Sequence, residues 1–335
     1  MNARNELLIS LLHDTSRSFY RTLRVLPRGI RPQIGLAYLL ARATDTIADT
    51  EIVPTEQRLD ALDQLRGRIL SANRQPLDFG ALAKHQGSPA ERTLLERIEE
   101  ALDALEKFNA ADQQRIQDVL KVITSGQELD VRRFAGASAD NIIALANASE
   151  LDDYTYRVAG CVGEFWTKMC RTHLFTAARL DDKKLLADGV RFGKGLQLVN
   201  ILRDLPADLR QGRCYLPSDE LAALGLAPKD LLDPANEPKF RPLYDRHLAV
   251  AENHLAAGWA YTNTLPRRCV RVRLACAWPI LIGMSTLARL RVENVLAANR
   301  IKISRSEVKT LLLKSVIYYP FPPVWRRLFS ARTGA

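Results

Sequence analysis

Residues 195–208 read GLQLVNILRDLPAD. Most of the positions between its polar residues are leucine, valine and isoleucine, which leaves no room for a wide solvated face. A helix that is apolar on nearly every side belongs in a protein core. The stretch therefore predicts a core helix with a polar stripe that serves a site. The polar residues recur at the spacing of one helix face: Gln197, Asn200, Asp204 and Asp208.

A second helix of the same kind is predicted over residues 29–50, and it carries Asp45 and Asp49. In both helices the two aspartates are four residues apart, which places their Cβ atoms roughly 5–6 Å apart. Carboxylates that close repel each other and attract a divalent cation. Magnesium suits them because it takes one or two carboxylates and completes its shell with water and phosphate oxygens. With Arg42 and Arg203 beside the pairs, the sequence predicts two acidic clusters that face each other across a cavity.

Helical periodicity recurs along the chain, and the stretch 73–87 is the best candidate for a loop. No run of alternating polar and apolar residues indicates a sheet, and no repeat of fixed period is visible. The sequence therefore predicts an all-α fold in a single domain. Besides residues 29–50, helices are predicted over 56–70, 88–108, 111–129, 185–205 and 273–299.

The chain has 335 residues, of which 47% are hydrophobic, and a net charge of +10. A basic balance is typical of proteins that bind nucleic acid, anionic membranes or polyphosphates. The arginines are spread along the chain and no nucleic-acid-binding motif is present, so nucleic acid is not an expected partner. Five cysteines without a CxxC pair indicate reduced thiols of an intracellular protein. Neither a signal peptide nor a transmembrane helix is expected.

Two further segments each allow two interpretations. Ser16, Arg17 and Ser18 offer two hydroxyls and a guanidinium, which suit a phosphate, but Ser16 also fits a helix N-cap. Glycines in the stretch 154–163 lie inside a predicted helix, where glycine costs roughly 1 kcal/mol relative to alanine. Close approach of a ligand or of another helix would explain them equally well.

Four segments, in order, resemble the squalene/phytoene synthase family, the head-to-head prenyl transferases. They read SRSFYRTLRVLP, YLLARATDTIAD, DYTYRVAGCVG and LQLVNILRDLPADLRQGRCYLP. The resemblance covers roughly residues 11–217, and residues 240–318 are similar more loosely. It implies an isoprenoid synthase-type helical bundle around a central apolar cavity, with a catalytic domain over residues 1–318 and a C-terminal tail over 319–335.

The resemblance also implies roles for individual residues. Tyr154 matches a tyrosine that handles protons or stabilises charge near the reacting carbons. Mg²⁺, or Mn²⁺ in its place, would be held against two prenyl diphosphates by Asp45, Asp49, Asn200, Asp204 and Asp208. Residues expected to contact diphosphate or support the metal shell are Ser16, Arg17, Ser18, Tyr38, Arg42, Gln197, Asn200, Arg203 and Arg213. Residues expected to line the hydrocarbon channel are Phe19, Val158, Gly160 and Gly163.

The implied reaction joins two farnesyl diphosphates into presqualene diphosphate and then reduces this with NADPH to squalene. The segment 299–305 resembles the basic segment that is linked to NADPH binding in squalene synthases, which would give Lys302 and Arg305 that role. A basic turn between helices explains the segment nearly as well. The alternatives are presqualene diphosphate, dehydrosqualene or phytoene synthesis without the reductive step, or a catalytically inactive assembly factor. The four intact aspartates argue against the inactive protein.

Two features depart from the family pattern. Ala207 stands where relatives usually carry an additional acid, and Pro206 is expected to disturb the helix. Residues 316–329, VIYYPFPPVWRRLF, interleave aromatic and basic residues. They are interpreted either as a contact with a membrane surface or as a tail packed on the bundle. The expected location is the cytoplasm, with peripheral contact at the inner face of the membrane, and the oligomeric state is left open.

Overall fold

A computed structural model describes residues 11–12, 23–297 and 301–330. The fold is helical, as the sequence predicts. The chain forms two compact units. The first comprises the described residues up to Ala135 together with Phe165–Ala177, and the second comprises Gly136–Glu164 and the described residues from Ala178 onward. The proposed boundary between a catalytic domain and a tail at residue 318 stays a prediction.

In the first unit, the central element is helix α1, which packs against four of the other helices. It begins with Arg31 and Pro32, and proline is favoured in a first helical turn because its missing N–H has no partner there anyway. Its side chains are buried on nearly every side. The helices of this unit are α1 (Arg31–Ala48), α2 (Thr55–Ile69), α3 (Gly80–Lys84), α4 (Pro89–Glu96), α5 (Ile98–Leu105) and α6 (Ala110–Arg133).

The carboxyl end of α1 is fixed by side chains that satisfy its last turn. Arg58 Nη1 donates a hydrogen bond to the carbonyl of Ala48 at 2.6 Å. The Thr50 hydroxyl donates to the carbonyl of Thr46 at 2.6 Å, and Gln86 Nε2 donates to that hydroxyl at 2.7 Å. Because the last carbonyls of a helix have no partners within it, these bonds hold the end in place.

A buried carboxylate at the start of α6 ties the first unit together. Asp112 is only 1% exposed, and it accepts hydrogen bonds from Gln33 Nε2 at 3.1 Å and Arg115 Nη1 at 2.9 Å. His173 Nε2 lies 2.9 Å from the same carboxylate. Burial by itself would raise the pKa of Asp112, but its hydrogen bonds with His173 and Gln33 outweigh burial and hold that pKa below the ordinary value.

In the second unit, α9 packs along α11 and also contacts α12. A π-helical turn, Tyr156–Gly160, separates α7 from α8, and two 3₁₀ turns, Pro228–Leu232 and Pro234–Asn236, precede α11. The elements are β1 (Ile143–Leu145), α7 (Ala148–Thr155), α8 (Cys161–His173, of which the first four residues belong here), α9 (Asp182–Arg210), β2 (Arg213–Pro217), α10 (Ser218–Ala222), α11 (Glu237–Thr264), α12 (Val270–Leu290), α13 (Arg305–Tyr318) and α14 (Pro322–Ser330).

Gly163 lets the beginning of α8 approach α9 backbone to backbone. A Cβ atom at Gly163 would collide with the carbonyl of Gly189. The glycines of residues 154–163 are open to two interpretations, close approach of a ligand or of another helix. The contact of Gly163 with α9 supports the second of these. A role for Gly163 in a hydrocarbon channel stays a prediction.

A short parallel strand pair is not predicted by the sequence. Residue Ile143 pairs with Arg213, and Ala144 pairs with Cys214, after which the register shifts. The strands have three and five residues, too short to show the alternation that predicts a sheet. Gly212 leads into β2 at φ +81°, and a side chain there would collide with the backbone of Ser138.

Several predicted helix bounds differ from the structure. The helix predicted over 88–108 is two helices, because Arg97 departs from helical geometry at φ −112° and ψ 23°. The predicted loop contains the short helix α3, and the helix predicted to reach residue 299 ends at Leu290. Helix α12 is long and apolar enough to cross a membrane, but 67% of its most apolar window is buried within the protein. Burial of that kind is expected of a core helix.

The predicted tail is partly integrated into the fold. The Trp325 side chain is 2% exposed and stacks on Trp259 with ring centroids 5.2 Å apart. Its Nε1 donates a hydrogen bond to Asn263 Oδ1 at 2.9 Å. The guanidinium of Arg273 lies 5.8 Å from the Trp325 ring centroid. Helix α14 therefore packs on the second unit, as one of the two interpretations of the tail predicts.

Candidate active site

The first acidic cluster lies on α1 and consists of Tyr38, Arg42, Asp45 and Asp49, which follow one another at helical spacing. Arg42 Nη1 donates to Asp45 Oδ2 at 2.5 Å, and Arg42 Nη2 forms an ion pair with Glu91 on α4. Asp45 keeps 41% of its side chain exposed, and Asp49 is exposed at the end of the helix. A ligand can therefore reach both carboxylates.

The electrostatics of this cluster favour an added cation. Desolvation raises the pKa of Asp45 above its ordinary value, and the neighbouring Arg42 opposes that rise, while the charge of Glu91 adds to it. Burial lowers the pKa of Arg42, but Asp45 and Glu91 outweigh burial and raise it. A carboxylate that is partly desolvated beside a second carboxylate gains when a cation binds.

Two residues of this cluster were not found from the sequence. Glu91 binds Arg42, and Gln127 on α6 hydrogen-bonds the Asp45 side chain. Both come from helices that are distant from α1 in the sequence, so no local spacing connects them with the aspartates. The only signal was Glu91 in a predicted first helical turn, where an acid is expected for reasons of helix stability alone.

The second acidic cluster lies on α9 and consists of Gln197, Asn200, Asp204 and Asp208. Asn200 is exposed and the other three are half-buried. Arg203 Nε donates to Asp204 Oδ1 at 3.0 Å, and Arg203 Nη2 pairs with the second carboxylate oxygen. This is the forked geometry that guanidinium groups also offer to phosphate.

Helix α9 continues through Pro206 to Arg210, so the predicted disturbance does not interrupt the helix and is confined to its hydrogen bonding. Proline in a helix removes one N–H donor, and here the carbonyl that loses this donor belongs to Leu202. The hydroxyl of Tyr244 donates to that carbonyl at 2.9 Å. The helix can therefore continue without leaving a buried carbonyl unsatisfied.

The strand pair brings Arg213 and Tyr215 next to the end of α9. Tyr215 stacks on Tyr154 of α7, with ring centroids 4.7 Å apart and an interplanar angle of 23°. Tyr154 is 8% exposed, so its ring is held within the protein. Val158 and Gly160 lie in the π-helical turn that follows, and such turns occur frequently at functional sites.

Other predicted site residues lie elsewhere. Ser16, Arg17, Ser18 and Phe19 fall outside the described residues. Lys302 and Arg305 are exposed. The carbonyl of Lys302 accepts a hydrogen bond from Arg289 at 2.9 Å, and Ser304 caps α13. Residues 302–304 therefore have a structural role at the start of α13, and the binding of NADPH by Lys302 and Arg305 stays a prediction.

The donor set fits magnesium better than a metal that needs many protein ligands. No group of three or more His, Cys, Asp or Glu side chains in the described parts of the chain is arranged to hold a metal ion. Each cluster instead offers one aspartate pair with an arginine beside it. Magnesium requires no more than this, because water and substrate phosphate complete its shell.

The sequence of the chain matches the model of a known family. A family model described as squalene/phytoene synthase matches residues 12–307. This chain belongs to that family. It is a prenyltransferase of the squalene synthase type, as the four sequence segments predict.

The relatives include proteins with different final products. A presqualene diphosphate synthase of Rhodopseudomonas palustris is 30% identical over 308 residues, which cover 90% of this chain and 93% of that protein. Squalene synthase ERG9 of Saccharomyces cerevisiae is 26% identical over 305 residues, which cover 91% of this chain and 66% of the yeast protein. A solved structure of TcSQS with a bound ligand superposes with a TM-score of 0.78 at 20% identity, over 100% of this chain and 93% of that one. At that identity the likeness shows the fold.

Proposed function

We propose that this enzyme joins two molecules of farnesyl diphosphate head to head to form presqualene diphosphate and then reduces presqualene diphosphate to squalene. The observation that carries the proposal is the pair of helices α1 and α9. Each presents two aspartates four residues apart with an arginine paired to the first of them. The names of the two relatives support farnesyl diphosphate chemistry.

The arginines have a direct role in this proposal. Arg42 is already paired with two carboxylates, and Arg203 with one, so both guanidiniums are held near the aspartates before substrate arrives. A diphosphate that binds there meets two guanidinium charges whose positions are already fixed by these pairs. Donors arranged in advance stabilise the charge that develops on a leaving diphosphate without the cost of reorganisation.

Magnesium would be held by Asp45 and Asp49 in the first cluster and by Asp204 and Asp208, with Asn200, in the second. When bound, it supplies positive charge that stabilises the departing diphosphate. Tyr154, whose ring is held by Tyr215, would stabilise positive charge near the reacting carbons or accept a proton. The aromatic face suits that role because its quadrupole attracts cations.

The test of the metal clusters is a pair of charge-removing variants, Asp45→Asn and Asp204→Asn, with Asp60→Asn as a matched control. Asp60 is an exposed aspartate of α2. We expect each cluster variant to lower turnover of farnesyl diphosphate by about 10²–10³-fold, the usual loss for one electrostatic stabiliser. The control should retain wild-type turnover. Wild-type turnover in both cluster variants would exclude these metal roles.

The second candidate function ends at presqualene diphosphate. The higher identity and near-complete coverage of the R. palustris presqualene diphosphate synthase favour this reading. NADPH, which would supply a hydride, is assigned to Lys302 and Arg305 only by resemblance. Product analysis with farnesyl diphosphate and Mg²⁺, with and without NADPH, separates the two candidates. Squalene that forms only with NADPH supports the first, and presqualene diphosphate under both conditions supports the second.

An anionic membrane surface is the partner that we propose for the C-terminal helices. Residues 305–330 contain one acid, Glu307, against five lysines and arginines. Glu307 is already paired with Arg289. A basic surface with exposed apolar side chains binds anionic lipid through both charge and insertion. The exposed apolar residues are Leu313, Val316, Ile317, Phe321 and Val324.

Vesicle flotation tests this contact without disturbing the fold. We expect the wild-type enzyme to float with vesicles that contain phosphatidylserine, and the double variant Val316→Ser/Ile317→Ser to float much less. The control is Ile52→Ser, which removes an even more exposed apolar residue from the first unit. Equal flotation of both variants would exclude α13 as the contact. The location that we propose for the enzyme is the cytoplasm, with reversible attachment to the membrane.

A further inference from the structure

Pro206 lies between the two aspartates of the second cluster and changes the hydrogen bonding of their helix. In an α-helix each N–H donates to the carbonyl four residues earlier, so Pro206 cannot serve Leu202. Leu202 is 1% exposed, which keeps water from replacing the missing donor. An unsatisfied carbonyl at this depth is costly, and native proteins rarely leave one.

Tyr244 supplies the missing donor from a different helix. Its hydroxyl lies on α11 and donates to the Leu202 carbonyl at 2.9 Å. The side chain is fully buried, and burial raises the pKa of Tyr244, so the hydroxyl keeps its proton. The ring is held by Phe240, with centroids 5.5 Å apart, and by the guanidinium of Arg241, 5.5 Å from the ring centroid.

The hydrogen bond acts on the turn that carries the carboxylates. Leu202 precedes Asp204 by two residues, and the helix turn from Leu202 to Pro206 is the one that lacks its internal bond. Leu205 and Leu209, both nearly inaccessible, lie on the same buried face of α9 as Leu202. The direction in which Asp204 and Asp208 point therefore depends on a bond to α11 rather than on α9 alone.

We infer that Tyr244 is a positioning residue for the second acidic cluster: its hydroxyl replaces the amide that Pro206 lacks and fixes Asp204 and Asp208 in the orientation that binds metal and diphosphate. The inference rests on the proposed function, because it assumes that these aspartates hold Mg²⁺ against a diphosphate. It adds to the site a residue outside the polar stripe of α9, and it explains which group compensates for the N–H that Pro206 lacks.

A double-variant cycle tests the inference because alanine at position 206 restores the missing N–H. The proteins are wild type, Pro206→Ala, Tyr244→Phe and the double variant. A further control is Tyr261→Phe, which removes another buried tyrosine hydroxyl from α11. The two measurements are calorimetric titration with inorganic pyrophosphate in the presence of Mg²⁺, and thermal unfolding without Mg²⁺.

We expect Tyr244→Phe to weaken pyrophosphate binding by about tenfold, consistent with one unsatisfied buried carbonyl that displaces the helix. Binding by Tyr261→Phe and Pro206→Ala should match the wild type. The double variant should regain most of the lost affinity and of the lost thermal stability. A Tyr244→Phe protein that fails to fold supports the inference equally if the double variant folds.

Three results would overturn the inference. The first is a pyrophosphate affinity of Tyr244→Phe equal to that of Tyr261→Phe. The second is a double variant whose losses of affinity and stability are the sum of those of the two single variants. The third is a double variant that fails to fold. If the wild type itself does not bind Mg²⁺-pyrophosphate, the proposed function fails instead. The thermal-unfolding cycle then still decides whether Tyr244 replaces the amide of Pro206.

Discussion

Replacement of Trp325 by alanine should destabilise the protein strongly, although this residue lies in the segment that sequence alone assigns to a tail. The indole is 2% exposed and stacks on Trp259. Burial of roughly 150–250 Å² of aromatic surface at about 25 cal/mol per Å² corresponds to about 4–6 kcal/mol. Partial collapse around the alanine recovers some of this, so we expect a loss of about 3–5 kcal/mol in the free energy of unfolding.

The Trp325→Phe variant is a smaller perturbation of the same site. It retains one aromatic ring, but it loses part of the buried indole together with the hydrogen bond from Nε1 to Asn263 Oδ1. That oxygen also accepts a hydrogen bond from Arg273 Nη2 at 3.0 Å, so it stays satisfied. The expected loss in the free energy of unfolding is therefore about 1–3 kcal/mol, smaller than that of the alanine variant.

Urea unfolding followed by far-ultraviolet circular dichroism measures both losses without depending on the fluorescence of the residue that is removed. Phe321→Ala is the matched control, because Phe321 is a neighbouring aromatic residue with 58% of its surface exposed. Its replacement should change the free energy of unfolding by less than about 0.5 kcal/mol. If Trp325→Ala were as stable as Phe321→Ala, the assignment of α14 to the folded unit would be refuted.

Three further predictions concern other parts of the molecule. Gly163→Ala should lower the urea midpoint, with a loss of about 1–3 kcal/mol or more, because the added methyl group meets the Gly189 backbone. Asp112→Asn should lower stability near neutral pH, and its deficit should shrink as the pH falls below about 4, since a carboxylate with a depressed pKa stabilises the fold only while it is ionised. Thermal unfolding of both proteins from about pH 7 to pH 3 measures this, and a constant deficit would contradict it. Arg203→Lys keeps the positive charge beside Asp204 but loses the forked N–H donors of the guanidinium. The KM for farnesyl diphosphate should therefore rise about tenfold in steady-state assays. An unchanged KM would exclude bidentate binding of the substrate diphosphate by Arg203.

The parts of the site that the sequence predicts are those whose members share one helix. Arg42 and Asp45 lie three residues apart, and their contact follows from helix geometry. The polar stripe of α9 is predictable for the same reason. Periodicity also predicts the helical fold, because successive apolar residues within each helix are three or four positions apart.

The parts that the sequence does not predict depend on contacts between distant segments. Nothing near Asp45 indicates that Glu91 and Gln127 will meet its cluster. Likewise, the stacking of Tyr154 on Tyr215 depends on a strand pair too short to have a pattern. Where α9 passes through Pro206, a tertiary hydrogen bond from Tyr244 satisfies the carbonyl of Leu202, and local propensity cannot reveal that bond.

The strand pair β1–β2 also constrains how this protein can be altered. Strand β1 leads into the helix that carries Tyr154, and β2 follows the helix that carries Asp208. Because side chains alternate along a strand, a slip of one residue would turn Tyr215 away from Tyr154. Loop exchange between relatives therefore has to preserve the length of residues 138–147, even though this segment contains no residue of the two acidic clusters. An insertion of one residue there would shift the pairing of β1 with β2 and so displace Tyr215 from Tyr154. Insertions in exposed loops that form no strand pair should be tolerated.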